Sequence, residues 1–349
     1  MTDLLVRKQA RAGRITLTRP EALNALSYQM CLEIEAALDA WRDDDAVALV
    51  IIDAEGARAF CAGGDIQEMY DTGRVGDYSY GRKFWADEYR LNAKIAAFPK
   101  PYIALMHGFT MGGGVGVSCH GSHRVVCETS QIAMPECGIG LVPDVGGSAL
   151  LAAAPGRLGE YFGLTAARMG PADALHARFA DFYVPYDRWP VLIEQLCTSG
   201  DADLVRIFAA SEQTPQKGAA QQAQAEIGAA FAAETLADIL AALDKSDSDI
   251  AAGAAKSMRR NSPLSMGCAL RLIRDARATP GLPAALAREF RFTFRSAEQG
   301  DFIEGIRAAI IDKDRNPVWQ HPAPEAVTGD DISAMLAPLG ADELNLQGS

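Results

Sequence analysis

The stretch PYIALMHGFTMGGGVGVSCHG, at residues 101–121, decides the fold class of this chain. Its first part, PYIALMHG (101–108), is a short apolar run, which is typical of a strand that is covered on both faces of its sheet. TMGGGVG (110–116) is a glycine turn, and the residues after it predict the start of a helix. A buried strand that leads through a glycine turn into a helix indicates an α/β core.

The same plan of strand, turn and helix is found elsewhere in the chain. AVALVIID (46–53) predicts a second buried strand, and it leads through ARAFCAGGDIQEM, another glycine turn, into a helix with Asp65 in its first turn. GRITLT (13–18) and RVVCE (124–128) predict further strands. Ser27 is predicted to open a helix whose apolar face has helical spacing and consists of Met30, Ile34, Leu38 and Trp41.

The composition divides the chain into three predicted regions. Alternating strands and helices predict an α/β core over residues 1–195. Residues 200–256 have few β-branched side chains and residues 262–312 predict longer amphipathic helices, so we expect a helical region over residues 196–320. Residues 321–349 are rich in Pro, Ala, Gly and Asp, and they predict a loosely ordered tail.

Charge and hydropathy limit the partners that the protein could have. The net charge of −12 argues against nucleic acid, because phosphate binding needs a clustered basic surface. The N-terminus has no apolar segment of the signal-peptide kind, and no uncharged apolar run reaches the ~18 residues that a membrane helix needs. We therefore expect a cytoplasmic protein, or the mature form of an organellar one, without a membrane partner. An anionic small molecule is compatible with the charge if a few basic side chains or backbone N–H groups receive it.

Cysteine and histidine patterns give no sign of a disulfide framework or a metal centre. The number of cysteines is odd and no CxxC pair occurs, so we expect buried free thiols in a reducing compartment. His120 and His123 form an HxxH pair without a third ligand, and a structural role is favoured over metal binding. We expect no metal cofactor.

The two glycine turns could carry chemistry. Each lets backbone N–H groups approach a ligand at the start of a helix. Two such turns after two strands of one sheet could point a pair of N–H donors at one oxygen, forming an oxyanion hole in which each donor contributes ~3 kcal/mol in a transition state. The alternative is that the glycines only permit tight packing of helix on strand. GGGVG does not match G-x-G-x-x-G, no GK[ST] follows it, and GVSCH misses G-x-S-x-G, so dinucleotide-binding, P-loop and serine-hydrolase interpretations are disfavoured.

Two acidic residues lie in an otherwise uncharged segment. MPECGIGLVPDVGG (134–147) carries Glu136 and Asp144 but no Lys or Arg. A buried unpaired carboxylate costs several kcal/mol, which it relieves by raising its pKa. Asp144 could be a helix N-cap, and Glu136 could accept hydrogen bonds from N–H groups of a turn. Taken together beside two glycine turns, they indicate an acid–base pair that faces a polarised carbonyl. Glu88 is a third candidate, or else part of a solvated helix face.

Five segments of the chain together resemble the crotonase (enoyl-CoA hydratase/isomerase) superfamily. The resemblance covers residues 5 to about 320, and it is carried by AFCAGGDI (59–66), ALMHGFTMGGGVG (104–116), AMPECGIGLVPDVGG (133–147), EYRLN (88–92) and FIEGIRAAIIDKDRNPVW (302–319). It implies a spiral of ββα repeats with a C-terminal helical cap. It also implies an acyl-CoA thioester as substrate, so that coenzyme A arrives with the substrate and no separate cofactor is needed. A homo-oligomer is compatible with it.

The resemblance also implies roles for five residues. Gly64 and Gly113 match the backbone donors of the oxyanion hole. Glu136 and Asp144 match residues that lie over the acyl group, and Glu88 matches a residue that contacts substrate. The likeness is greatest to the branch that hydrolyses 3-hydroxyisobutyryl-CoA in valine catabolism.

One position separates the branches of the superfamily. Hydratases carry a second catalytic glutamate at the position of Gly116, which favours a thioester hydrolase here. Glu136 would then act as nucleophile or as general base. An enoyl-CoA hydratase or isomerase and a non-catalytic acyl-CoA binder are the alternatives.

Overall fold

The computed structural model describes residues 3–211 and 215–346, and its elements follow one another in mixed α/β order. The strands in the described part are β1 Leu4–Gln9, β2 Ala12–Leu17, β3 Leu49–Ala54, β4 Ala59–Cys61, β5 Tyr102–Met106, β6 Phe109–Met111, β7 His123–Val126, β8 Gln131–Ala133 and β9 Phe182–Tyr183. The helices are α1 Tyr28–Arg42, α2 Gln67–Gly73, α3 Ser79–Ala96, α4 Gly113–Ser118, α5 Gly147–Ala153, α6 Leu158–Thr165, α7 Pro171–His176, α8 Trp189–Ser199, α9 Leu204–Ala210, α10 Ala219–Gln222, α11 Gln224–Phe231, α12 Leu236–Leu243, α13 Asp249–Arg260, α14 Pro263–Ala278, α15 Leu282–Gln299, α16 Phe302–Ile306 and α17 Gly329–Met335.

The chain forms two compact units, and each is assembled from separate segments of sequence. The first, here called the sheet unit, consists of Met1–Asp65, Arg90–Ala133 and Met169–Gly218. The second, the helical unit, consists of Ile66–Tyr89, Met134–Arg168 and Ala219–Ser349. The predicted boundaries at 195/196 and 320/321 therefore differ from the division in the structure. The difference arises because strands pair with partners far away in the sequence, while the segments between them leave the sheet unit.

The sheet unit contains two sheets whose strands alternate along the chain. The larger sheet has the order β1-β2-β3-β5-β7-β9, with β1 antiparallel to β2 and the other neighbours parallel. The smaller sheet has the order β4-β6-β8 and is parallel throughout. Each successive pair, β3 with β4, β5 with β6 and β7 with β8, gives one strand to each sheet. This is the expected spiral of ββα repeats.

Local sequence signals account for the elements of the sheet unit. The Ser27 side chain accepts the N–H of Met30 at 3.2 Å, and the predicted apolar face of α1 is buried. All five residues of β5 are buried, as the apolar run predicted. A core cluster joins β3 and β5 to α8 through residues that include Ile51, Leu105 and Leu192. Asp65 lies before α2 instead of in its first turn, and its carboxylate pairs with Arg19 at 3.0 Å.

The predicted loose tail is an ordered part of the helical unit as far as residue 346. Thr328 and Asp331 form a capping box that starts α17. The Arg295 guanidinium donates to the carbonyl oxygens of Met335 at 3.2 Å and Ala337 at 2.7 Å. Residues 347–349 of the predicted tail lie outside the described residues. Over the described parts of the chain, no helix is long and apolar enough to cross a membrane.

All seven cysteines are buried, as predicted: Cys31, Cys61, Cys119, Cys127, Cys137, Cys197 and Cys268. Across residues 3–211 and 215–346, no group of three or more His, Cys, Asp or Glu side chains could hold a metal ion. His123 of the HxxH pair has its Nδ1 2.9 Å from Ser122 Oγ, and its ring stacks on Phe182. These contacts agree with a structural role for His123.

Candidate active site

The two glycine turns of the sheet unit follow neighbouring strands. β4 and β6 are parallel, with Cys61 opposite Thr110, so the turns after them leave the same edge of the smaller sheet. A Cβ atom on Gly114 would lie 2.4 Å from the carbonyl oxygen of Cys61, a distance that real Cβ atoms do not tolerate. Glycine at 114 therefore allows the two backbones to approach closely. Tight packing, the alternative interpretation of these glycines, holds for this residue.

The N–H groups of Gly64 and Gly113 are not used by the bonds that build their own elements. An isolated parallel bridge pairs Leu26 with Gly64, and its two hydrogen bonds use the carbonyl of Gly63 and the N–H of Asp65. Gly113 is the first residue of α4, where an N–H has no acceptor within the helix. Gly112, just before it, has a φ of 48°, which glycine adopts without strain. Neither N–H group is thus used in the hydrogen bonds of its own bridge or helix, and the oxyanion hole at Gly64 and Gly113 stays a prediction.

The helical unit brings the three predicted carboxylates together in its interior. Glu88 lies on α3, Glu136 begins a 3-10 turn, and Asp144 lies in the loop before α5; each is 4% exposed. Within the described structure, Oε1 of Glu88 and Oε2 of Glu136 have no hydrogen-bond partner. A surface loop around residues 134–147 and a solvated position for Glu88 are both excluded by this burial.

Asp144 is held by a tyrosine and is not a helix cap. The hydroxyl of Tyr89 donates to Oδ2 of Asp144 at 2.7 Å. The N-cap of α5 is Gly146, so the interpretation of Asp144 as N-cap is wrong. Val145, between them, has a φ of 51°, which is strained for a β-branched residue.

Glu289 is a fourth buried carboxylate beside Glu88, Glu136 and Asp144, and the sequence did not predict it. It lies on α15 and is fully buried. Its carboxylate accepts the N–H of Gly146 at 2.7 Å, the N–H of Ser148 at 2.9 Å and the hydroxyl of Ser148. The available signal was an acidic residue on the apolar face of an amphipathic helix, next to the buried Leu286 and Phe290. Tyr89 was also missed, although it lies within the EYRLN segment.

Burial and mutual repulsion raise the pKa values of this carboxylate cluster, defined as Glu88, Glu136, Asp144 and Glu289. Burial raises the pKa of Glu136 well above its usual range, and the charge of Asp144 raises it further, followed by those of Glu289 and Glu88. The pKa of Glu88 is raised by burial and by Asp144. Burial raises the pKa of Asp144 to about 7 against the opposing effect of the Tyr89 hydrogen bond, and it raises that of Glu289 to about 7. At neutral pH the cluster therefore holds protons as a group.

Each unit, taken by itself, contains groups that acyl-transfer chemistry uses. Backbone N–H groups without an acceptor in their own element, such as those of Gly64 and Gly113, can stabilise a developing oxyanion. A buried carboxylate with a raised pKa is suited to act as base or nucleophile near neutral pH. Gly116 lies in α4 and is buried, so this position offers no second carboxylate.

Comparison with known proteins gives the family. The enoyl-CoA hydratase/isomerase family model matches residues 12–336. The chain is 37% identical to a chicken protein named 3-hydroxyisobutyryl-CoA hydrolase, mitochondrial, over 99% of this chain and 91% of the relative. It is also 37% identical to the rat protein of the same name, over 98% of this chain and 90% of the relative.

Solved structures agree with the fold. A structure described as an enoyl-CoA hydratase from Rhodobacter sphaeroides is 54% identical, covers 99% of this chain and all of its own, and superimposes with a TM-score of 0.94. A structure described as a carnitinyl-CoA dehydratase from Mycobacterium thermoresistibile is 38% identical, covers both chains completely and has the same TM-score of 0.94. The chain belongs to the enoyl-CoA hydratase/isomerase family.

Proposed function

We propose that the protein hydrolyses the thioester bond of a short 3-hydroxyacyl-CoA, with 3-hydroxyisobutyryl-CoA as the first candidate substrate. The chicken and rat relatives that match nearly the whole chain are named as hydrolases of this compound. The observation that carries the proposal is the state of Glu136, which is buried beside Asp144 with one carboxylate oxygen unbonded within the described structure. A free carboxylate oxygen in such a site is available to react.

The proposed chemistry assigns a role to each candidate residue. The N–H groups of Gly64 and Gly113 donate to the thioester oxygen and stabilise the charge that develops on it. Ionised Glu136 attacks the carbonyl carbon, the C–S bond breaks to release coenzyme A, and water then hydrolyses the mixed anhydride. Alternatively, Glu136 takes a proton from the attacking water. Asp144 holds the substrate hydroxyl, and Glu88 contacts the substrate.

The two routes differ in where oxygen from water first appears. In a single turnover in H₂¹⁸O, labelled water that attacks the glutamyl carbonyl of the mixed anhydride leaves ¹⁸O in the Glu136 carboxylate, and the released acid carries an oxygen atom from Glu136. General-base catalysis places the label only in the released acid. Label in the peptide that contains Glu136, measured by mass spectrometry, therefore establishes Glu136 as the nucleophile.

A hydratase is the second candidate function. The structure from Rhodobacter sphaeroides, which is 54% identical, is described as an enoyl-CoA hydratase. Against this function stands Gly116, because addition of water across a double bond in this family uses a second glutamate at that position. A non-catalytic acyl-CoA binder is the third candidate, and it would bind acyl-CoA without turnover.

A panel of acyl-CoA thioesters distinguishes the three functions. We expect free thiol from 3-hydroxyacyl-CoA, fastest for a short branched acyl group, and little loss of the absorbance of a conjugated enoyl-CoA. Loss of that absorbance without thiol would establish a hydratase instead. Binding of acyl-CoA with neither signal would establish a binder.

Further proposals concern cofactor, partners and location. We propose that coenzyme A is part of the substrate and that the reaction uses no separate cofactor, no nucleic acid and no membrane. The cytoplasmic location stays a prediction, and the chicken and rat relatives are named as mitochondrial. Fractionation of the source cells tests the location, and light scattering tests for a homo-oligomer.

A further inference from the structure

Glu289 has no part in the chemistry proposed above, yet it is the most completely hydrogen-bonded member of the carboxylate cluster. Three hydrogen bonds reach it, from the N–H groups of Gly146 and Ser148 and from the hydroxyl of Ser148. All three donors lie just after Asp144 in the sequence, while Glu289 itself is on α15. Glu289 therefore joins α15 to the loop that carries Asp144.

The segment that these bonds hold is strained. Val145 and Gly146 have φ values of 51° and 81°, both in the left-handed region. A β-branched residue such as Val145 takes this conformation only where the surroundings enforce it. The Gly146 N–H, directly after Val145, is fixed by Glu289 at 2.7 Å. The same turn determines where the Asp144 carboxylate lies relative to its donor, the hydroxyl of Tyr89.

Charge gives Glu289 a second effect on the cluster. Its carboxylate is fully buried and repels the charge of Glu136, whose pKa it raises. Repulsion between Glu289 and Asp144 likewise raises the pKa of Glu289. One carboxylate thus combines a geometric and an electrostatic connection to the proposed reacting groups.

We propose that Glu289 is a positioning residue, which holds Val145 and Gly146 in their left-handed conformation through three hydrogen bonds and so fixes Asp144 beside Glu136; this inference rests on the proposed function. It assigns to α15 a part in positioning the site. Ser148 assists by adding its hydroxyl to the two backbone donors.

The pKa of Glu136 depends on every ionisable group that faces the pair formed by Glu136 and Glu289. Glu88 and Tyr89 from α3, Asp144 from the loop before α5 and Cys137 next to Glu136 all interact with the pair electrostatically. None of these groups is cationic. Removal of one negative charge from the cluster therefore lowers the pKa of Glu136, and the acid limb of the pH–rate profile moves to lower pH.

Three variants separate the geometric effect from the electrostatic one. Glu289→Gln removes the charge and places an amide N–H₂ against one of the N–H donors. Glu289→Asp keeps the charge, but its shorter side chain cannot reach both backbone N–H groups. Ser148→Ala removes one donor and leaves the charge and the two backbone bonds in place. Glu298→Gln, on the same helix at a partly exposed position paired with Arg82, is the control.

We expect Glu289→Gln to lower kcat on the order of 10²-fold with a smaller change in KM, and to move the acid limb downward. Glu289→Asp should lower kcat while the acid limb stays in place. Ser148→Ala should lower kcat only about threefold, and Glu298→Gln should match the wild type. Turnover within about threefold of wild type and an unshifted acid limb for Glu289→Gln would overturn the inference.

Hydrogen exchange tests the same inference without any activity. In Glu289→Gln the amides of Gly146 and Ser148 should exchange at least about tenfold faster than in the wild type, while the amides of α14 keep their protection. Unchanged exchange at these two amides would overturn the positioning role. Wild-type protein that releases no thiol from any acyl-CoA would overturn the proposed function instead, and the exchange result would still decide whether Glu289 holds the turn.

Discussion

The hydroxyl of Tyr89 donates a 2.7 Å hydrogen bond to Oδ2 of Asp144 in the interior of the helical unit. Both side chains are buried, and Thr293 Oγ1 lies 3.5 Å from the same hydroxyl. A hydrogen bond to a carboxylate favours its charged form. Tyr89 therefore keeps part of the Asp144 population ionised at a pH where burial alone would protonate it.

Tyr89→Phe removes this donor with little change in shape. We expect the pKa of Asp144 to rise above about 7, because the bond that lowers it is lost. Turnover at neutral pH should fall about tenfold, and the free energy of unfolding by ~1–3 kcal/mol, since a buried acceptor loses its partner. Steady-state kinetics and urea unfolding measure both. Tyr186→Phe, at an exposed tyrosine of the sheet unit, is the control, and an equal effect of the two changes would contradict the prediction.

Asp144 should also destabilise the folded protein as the pH rises. Its pKa is raised from an ordinary 3.8 to about 7, so the unfolded chain loses this proton at lower pH than the folded chain does. Below both pKa values Asp144 is protonated in the folded and in the unfolded chain, so its titration does not change the free energy of unfolding. Between the two pKa values Asp144 ionises in the unfolded chain only, which stabilises the unfolded state. The free energy of unfolding therefore falls as the pH rises through this window. Asp144→Asn should therefore be more stable, relative to wild type, at about pH 8 than at about pH 5. Equal differences at the two pH values would contradict the raised pKa.

Gly114→Ala tests the close approach of the two glycine turns. A Cβ atom at this position would lie 2.4 Å from the Cys61 carbonyl oxygen, so the backbones after β4 and β6 must separate. We expect a loss of ~1–3 kcal/mol in the free energy of unfolding and a strong fall in turnover. Gly253→Ala, on the exposed face of α13 with no atom near the new methyl group, should instead stabilise the protein by ~0.5–1 kcal/mol. Normal turnover in Gly114→Ala would argue against an oxyanion hole at these turns.

The sequence predicted those features that depend on neighbours along the chain. The N-cap Ser27, the apolar face of α1 and the buried strands β3 and β5 follow from local periodicity, and the structure confirms them. Glu136 and Asp144 could be predicted as buried because no basic residue lies near them in the sequence. The start of α17 was missed, although Thr328 and Asp331 have the local spacing of a capping box.

The features that the sequence did not predict depend on partners far away along the chain. The N–H groups of Gly146 and Ser148 at the start of α5 are bonded by Glu289, which follows Gly146 by 143 residues, and the N-cap is Gly146, so the nearby Asp144 was the wrong candidate for this cap. The tail is held by Arg295, which reaches the carbonyl oxygen of Ala337 from α15. The two units cannot be read from composition, because each collects segments that are interleaved in the sequence.

Glu136→Gln tests the residue that carries the proposed function. We expect kcat to fall at least ~10²-fold, because the change removes the group that attacks the thioester or activates water. The free energy of unfolding should hold or rise, since Glu136 is buried with an unbonded oxygen and its pKa is raised mainly by burial. Thiol release and thermal unfolding measure the two effects. Activity within a few-fold of wild type would show that Glu136 is structural.

Asp144→Asn separates the two acids of the reaction. Because Gly146 caps α5, the change has no cap to break, and the melting temperature should hold or rise while turnover falls strongly. After burial, the charge of Asp144 is the largest cause of the raised pKa of Glu136. Its removal should lower that pKa and move the acid limb of the pH–rate profile downward if Glu136 is the titrating group. Asp249→Asn, at an exposed position on α13, is the control and should leave the turnover and the acid limb unchanged. Wild-type turnover with an unshifted acid limb in Asp144→Asn would remove Asp144 from the proposed mechanism.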